Sequence, residues 1–339
     1  MVDANLTRRG CLRVVAAATL TGCAGGTSTS KGIDMLYDVV IVGGGPGGLS
    51  AALALGRARR RVLLCDAGPR RNAAAAEIHN FVTRDGTPPD EFRRIGREQL
   101  VRYGNVEVRD VGVAAVSGER GAFTVTLADG AVTARRVLLC TGMIDEVFAL
   151  AGFRELWGSS IFQCPYCHGW EVQDQRWGYL VRASDAGHLL PFALMARGWS
   201  REVVVFTGGA FAVPAESVAR LDAAGVRLET GAIDRLVATE GRLSAVALAD
   251  GRSVACDVLY AHPAQRQVPL VQALGVALDD DGYVRVDPMR RETSVPGVYA
   301  AGDLTTRMQG AVLAAAAATQ AAAMINAELT MELAERGAL

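Results

Sequence analysis

The chain has 339 residues, with 35 Lys and Arg against 36 Asp and Glu and a formal net charge of −1. That length suits two domains, and the charge balance argues against a nucleic-acid-binding surface. Half of the residues are apolar and 38 are Gly, enough for sizeable cores in a Gly-rich α/β protein. Seven cysteines, an odd number with one close pair, argue against a disulfide framework and for one redox or metal site.

Residues 1–34 read as foreign to the fold. The stretch Thr7 to Arg13, with Arg8-Arg9, resembles a twin-arginine export signal, and a short apolar run follows from Val14 to Leu20. Leu20-Thr21-Gly22-Cys23 resembles a lipoprotein cleavage box with Cys23 as the lipid-bearing residue. The expectation is export by the twin-arginine route with lipid anchoring at Cys23. The alternative is a cytoplasmic chain that starts at Met35, directly ahead of the first strand.

Tyr37 to Val42 reads as a buried strand, and Leu49 to Gly56 as a helix. Between them stands Gly43-Gly44-Gly45-Pro46-Gly47-Gly48, a G-x-G-x-x-G loop. Gly43 makes the tight turn, Gly45 admits a pyrophosphate to the backbone, and Gly48 permits close helix–strand packing. The helix N-terminus then faces the anion. A second strand, Arg61 to Cys65, ends at Asp66, whose carboxylate is placed for ribose hydroxyls. His79-Asn80-Phe81 and Arg84 to Pro89 lie in the long connection after it and border a substrate cleft or pack the loop.

Arg136 to Thr141 is a strand ending in Cys140-Thr141-Gly142. Then comes Phe162-Gln163-Cys164-Pro165-Tyr166-Cys167-His168-Gly169-Trp170-Glu171. Two thiols three residues apart can close a small disulfide at a helix start. There the dipole and a neighbouring acid or base can lower a thiol pKa from ~8.5 into the ~3.5–7.5 range. His168 can move a proton on and off a thiol. Glu171 either tunes it or is a solvated surface residue. The same letters spell a c-type haem attachment pattern, but no distal ligand is evident. A zinc site needs two more ligands, and no second C-x-x-C exists. An inert core pair is the remaining alternative. Cys65, Cys140 and Cys256 read as small core residues. No metal site is expected.

Thr293 to Asp303 reads Thr-Ser-Val-Pro-Gly-Val-Tyr-Ala-Ala-Gly-Asp, and an Ala-rich helix should run from near Gln309 to Leu329. Gln309, Thr319, Gln320 and Asn326 argue against its spanning a membrane.

The Gly43–Gly48 loop, Asp66, Thr141-Gly142, Gly302-Asp303 and the cysteine pair together resemble the flavoprotein pyridine-nucleotide disulfide oxidoreductases, in particular the low-molecular-weight thioredoxin reductase branch. The resemblance runs from Leu36 to Leu329. It implies an α/β fold of two Rossmann-like, three-layer ββα domains. A discontinuous FAD domain (36–150 and 260–330) would be interrupted by a pyridine-nucleotide-type domain (151–259) that carries the cysteines. It implies FAD as cofactor, Asp303 on the ribityl chain, and the helix after Gln309 aimed at the flavin pyrimidine ring, where its dipole is worth ~0.3–2 kcal/mol. It also implies Cys167 next to the flavin, Cys164 exchanging with substrate, and a homodimer. The family carries Asp after the second cysteine; here His168 stands there.

One part departs from the family. Where a second dinucleotide loop should follow a strand, the chain reads Trp177 to His188 with no glycine pair at i and i+2, and with Asp185 adding negative charge. The next strand, Glu202 to Phe206, leads to Thr207-Gly208-Gly209-Ala210 rather than to a basic cluster. These departures resemble the FAD dithiol oxidases that close gliotoxin- and holomycin-type disulfides. The leading expectation is oxidation of a small-molecule dithiol to a disulfide, with oxygen or another acceptor. The alternatives are an NAD(P)H-dependent disulfide reductase acting on a thioredoxin-like protein, and a flavin-based redox sensor without turnover.

Overall fold

Alternating burial organises the first layer. In Leu36–Val42 (β1), Val39 and Ile41 face one core and Val40 and Val42 the other, as in a parallel strand covered on both faces. The computed structural model describes residues 36–338. The export and lipidation motifs, with Cys11 and Cys23, lie outside the described residues. Helix Pro46–Arg57 (α1) starts with a proline in its first turn, a position with no intrahelical N–H to lose. Val62–Cys65 (β2), Pro89–Val101 (α2) and Val106–Arg109 (β3) follow, with the three strands parallel in the order β3-β2-β1. Val113–Glu119 (β4) and Ala122–Leu127 (β5) make a hairpin against Gly130–Leu139 (β6).

β6 is longer than the expected strand from Arg136 to Thr141, and it ends two residues earlier. Its first half pairs antiparallel with β5, while from Thr133 to Leu139 it runs parallel to β1. The Ala, Val and Thr of that first half alternate too weakly to stand out as a strand, yet Val132 and Ala134 are buried. Sheet neighbours, not intrinsic preference, fix it.

Ile144–Glu146 (β7) leaves this sheet. Phe153–Leu156 (α3), Ile161–Phe162 (β8), Pro165–His168 (α4), Arg176–Leu180 (β9), Leu189–Ala196 (α5), Glu202–Phe206 (β10), Ala215–Ala223 (α6) and Val226–Glu229 (β11) come next. Ile233–Thr239 (β12), Arg242–Leu248 (β13) and Ser253–Ala255 (β14) form a small antiparallel sheet. Val258–Ala261 (β15) then slots between β9 and β8, completing a parallel sheet in the order β11-β10-β9-β15-β8. Ala264–Arg266 (β16) pairs antiparallel with β7, so the chain leaves and re-enters through one two-stranded ribbon. After Pro269–Ala273 (α7), Val298–Ala300 (β17) pairs with the second half of β6. The fold is α/β with two Rossmann-like sheets, the first assembled from both ends of the described chain.

The last helix, Ala311–Glu335 (α8), begins two residues after Gln309 and runs six beyond Leu329. Its length and composition would suffice to cross a membrane. Here Ala318, Ala321, Ala322, Ile325 and Leu329 pack into the core shared with α1 and β1. Polar contacts fix its outer turns. Arg60 donates to Asn326 and Thr330, Tyr299 donates to Glu328, and the fully buried Arg136 pairs with Glu332. Alanines let α1 and α8 approach closely, which explains a helix this apolar in a packed layer.

Candidate active site

The first Gly-rich loop is a built cradle. Gly43 has φ +107°, a left-handed conformation that Gly adopts without cost, and a Cβ there would overlap the Cys140 carbonyl. A Cβ on Gly48 would overlap the Gly43 carbonyl. At Gly45, by contrast, nothing of the protein lies within 4 Å of a Cβ position. Two glycines are therefore demanded by the fold, and the one between them faces open space that a pyrophosphate could enter. Gly47 lies in the first turn of α1, against Ala314 and Ala318 of α8. Asp66 sits at the end of β2 beside Gly44. Its Oδ1 accepts the Gly68 N–H, and its Oδ2 accepts hydrogen bonds from Arg93 and, at 3.3 Å, Arg97. Both arginines lie on α2, where no motif announces them. These residues fit a dinucleotide.

Thr141 and Gly142 follow β6, and Gly302-Asp303 follows β17, so both segments emerge from the ends of adjacent parallel strands. That crevice is where open α/β sheets bind ligands. Asp303 opens a short 3₁₀ turn.

Arg71 joins these parts, and sequence reading missed it. Its Nε and Nη2 fork onto Asp145 of β7 at 2.6 Å each, and its Nη1 donates to Asp303 at 2.9 Å and Gln309 at 2.6 Å. Its Nη2 also lies 3.4 Å from the amide oxygen of Gln163, the residue before Cys164. Gln265 of β16 closes the ring, donating to Asp145 and Gln309. Burial works against the Arg71 charge, but the hydrogen bonds and charges of Asp145 and Asp303 outweigh it and raise its pKa above the ordinary value. The missing signal is intelligible: an isolated Arg in a polar loop has no motif. Arg71→Ala would leave the Asp145 and Asp303 carboxylates, 10% and 24% exposed, without their shared cation. The expected loss is somewhat below the ~3–5 kcal/mol of a fully buried pair. It should be read as a lower melting temperature and weaker flavin retention, with Arg71→Lys, which keeps charge without the fork, falling between.

The cysteines lie where the inserted sheet meets this network. Cys164 is the N-cap of α4, and its carbonyl accepts the Cys167 N–H at 3.2 Å. Cys164 is held below the usual thiol range, first by a hydrogen bond from Cys167. Burial opposes this, and the N–H groups of Cys167 and Tyr166 add to it. Cys167 is raised, by its hydrogen bond to Cys164, by burial, and by the charges of Cys164 and Asp303. Cys65, Cys140 and Cys256 are thiols that burial pushes up to about 12. They pack in or against the cores, as small apolar residues do.

His168 ends α4 with its ring stacked on Phe162, 4.4 Å between centroids and 13° between planes. Its Nε2 is buried without a hydrogen-bond partner. Burial, and secondarily His79, lower its pKa from the ordinary value, while Glu171 raises it. Glu171 does not hydrogen-bond His168; its carboxylate lies 3.5 Å from His79. His79 therefore belongs to this site, in the loop that sequence reading left between cleft and packing roles.

The chain matches the model of the pyridine nucleotide-disulphide oxidoreductase family over residues 37–321. It is 32% identical over 278 residues to thioredoxin reductase tcpT of Claviceps purpurea, covering 79% of this chain and 86% of that one. It is 30% identical over 306 residues to thioredoxin reductase sirT of Leptosphaeria maculans, covering 86% and 94%. Among solved structures, an oxidoreductase from Agrobacterium tumefaciens superposes with a TM-score of 0.81 at 37% identity, over 88% of this chain and 99% of that one. The crystal structure of HlmI does so with a TM-score of 0.81 at 38% identity, over 89% and 95%. With the cradle, the paired cysteines and the two Rossmann-like sheets, these likenesses identify the chain as a member of the pyridine nucleotide-disulphide oxidoreductase family, an FAD-binding, thioredoxin reductase-like oxidoreductase.

Proposed function

We propose that the protein oxidises a small dithiol to a disulfide and does not draw electrons from NADPH. The observation that carries this reading is the turn after β9. It holds a 3₁₀ turn, Ala183–His188, without a glycine pair. Asp185 is only 4% exposed and accepts hydrogen bonds from Arg182 Nε at 2.8 Å and from both terminal nitrogens of Arg307 at 3.2 Å. Sequence reading expected Asp185 to repel phosphate as an added negative charge. In the structure its charge is paired, and it acts as an occupant: the carboxylate already satisfies the arginines that would face a pyrophosphate. The turn after β10 offers Thr207 to Ala210, with Gly208 and Gly209 at positive φ, and no basic side chain for a 2′-phosphate.

The chemistry balances on the chain's own thiols. A substrate thiolate attacks Sγ of Cys164 in the Cys164–Cys167 disulfide, and Cys167 leaves as thiolate. The second substrate thiolate then attacks the substrate sulfur of the mixed disulfide, releasing Cys164 and closing the product. The substrate loses two electrons and two protons; the cysteine pair gains the electrons. His168, neutral and aromatic-stacked, takes a thiol proton. FAD, held by the Gly43–Gly48 loop, Asp66 and Asp303, would supply the two-electron reoxidation of the pair, with oxygen or another acceptor taking up the electrons. Tyr166 and Trp170 are 63% and 73% exposed, which supports an apolar or aromatic rim for the substrate beside Cys164. By resemblance the working unit is a homodimer.

The runner-up is NAD(P)H-dependent reduction of a thioredoxin-like protein, which the names of the fungal relatives favour. Anaerobic mixing separates the two. Excess NADPH should leave the flavin yellow, whereas a small dithiol should bleach it and air should restore it. Rapid bleaching by stoichiometric NADPH overturns the proposal, and a flavin that responds to dithiol without multiple turnover in air points to a sensor.

A further inference from the structure

We propose that His79 is a positioning residue for proton transfer at the cysteine pair, acting through His168 from a seat among Glu77, Asp85 and Glu171. The proposal rests on the dithiol reading above and extends it to a residue outside the cysteine motif.

The loop that carries His79 is fastened to the redox turn. Ile78 and Thr87 form a bridge, and Asp85 Oδ1 accepts the Asn80 N–H at 2.8 Å. Asn80 has φ +60°, in the left-handed region that Asn tolerates best among residues with a side chain. In that conformation its amide donates to the carbonyl of Tyr166, between the two cysteines. His79 is thereby held beside α4, its side chain only 13% exposed. Its Nε2 lies 3.4 Å from Glu77 and 3.5 Å from Glu171, and its Nδ1 lies 3.5 Å from Asp85. Among the described residues no group of this kind is arranged for a metal ion. Three carboxylates with exposed edges thus surround one enclosed imidazole, on a loop hydrogen-bonded to the turn that carries the cysteines and a second imidazole, His168, whose Nε2 has no partner.

Two neighbouring imidazoles resist being charged together, so His79 and Glu171 push His168 in opposite directions. Of the other titratable groups nearby, Cys164 and Cys167 share the turn with His168, and Tyr260 lies on β15. Tyr260 is raised by burial and then by both thiols and Glu171, and it stays neutral. With His168 kept neutral, its free nitrogen can accept the substrate proton, and the carboxylates beside His79 lie toward solvent.

The test uses the FAD-loaded full chain. It has four histidines, few enough to follow each ring by NMR as pH is varied. His79→Gln should move the His168 titration to higher pH, and Glu171→Gln should move it to lower pH. The acid limb of the dithiol-driven flavin bleaching should follow in both variants. If His79→Gln fails to load FAD, the pair Glu77→Gln with Asp85→Asn, which reaches His168 through the seat of His79, decides: the His168 titration must move. A His168 titration that stays put, or shifts the same way in both variants, overturns the proposal; so does a slower His79→Gln with an unmoved titration, which means packing only. The titration needs no turnover, so it stands apart from the dithiol reading itself.

Discussion

Cys164→Ser and Cys167→Ser should each abolish turnover, by at least about 10³-fold, as when one member of a reacting unit is removed, but they should leave different spectra. If Cys167 is the flavin-side thiol, as the family resemblance implies, the remaining thiolate in Cys164→Ser should give a broad long-wavelength band. Its pH dependence is predictable. The wild-type thiol is raised first by the hydrogen bond to Cys164, then by burial, then by the charges of Cys164 and Asp303. The variant removes the Cys164 contributions and keeps burial and Asp303. The band should therefore be weak near neutrality and grow as pH rises, at lower pH than wild-type Cys167 would ionise. In Cys167→Ser the lone Cys164 loses the hydrogen bond that most lowers its own pKa, and the long-wavelength band should be missing at every pH. Opposite spectra would exchange the two roles.

Legibility in the sequence followed the reach of the forces involved. β1 and the Gly43–Gly48 loop were readable because a buried strand needs consecutive apolar residues and the turn needs glycine. The cysteine pair was readable because its spacing is itself the chemistry. What escaped was long-range. The first half of β6 exists only because β5 and β1 flank it. Arg71 matters through partners 74 and 232 residues away, Asp145 and Asp303. Arg93 and Arg97 meet Asp66 because α2 folds back over β2. Asp185 was visible as an acid in a turn, but not Arg307, 122 residues on, which turns it from a repelling charge into an internal occupant. Glu171 was read against His168, whose pKa it does raise, but its approach to His79 from another loop was not visible. Local patterns report local backbone demands; ion-pair networks report the tertiary fold.

Gly45→Val should yield a folded protein without flavin, and Gly48→Ala should damage the fold itself. The contrast comes from what surrounds the two residues. Gly45 has φ −76° and ψ −172°, extended backbone that valine adopts readily, and no protein atom lies within 4 Å of a Cβ there. Valine at this position meets only what enters the cradle, so apo stability should change by less than ~0.5 kcal/mol. The pyrophosphate, which must approach the backbone closely, meets the branched side chain, and affinity should fall by more than about tenfold, or ~1.4 kcal/mol. Gly48 lies within the first turn of α1, where even a methyl overlaps the Gly43 carbonyl. Backbone cannot yield there as a flexible side chain would, so Gly48→Ala should cost at least ~1–3 kcal/mol of stability and lose flavin through distortion of the loop. Flavin absorbance per protein after gel filtration, together with the apo melting temperature, separates the cases. Full FAD occupancy in Gly45→Val would refute the cradle assignment, and an equal fall in apo melting temperature for both variants would make Gly45 a folding residue rather than a cofactor contact.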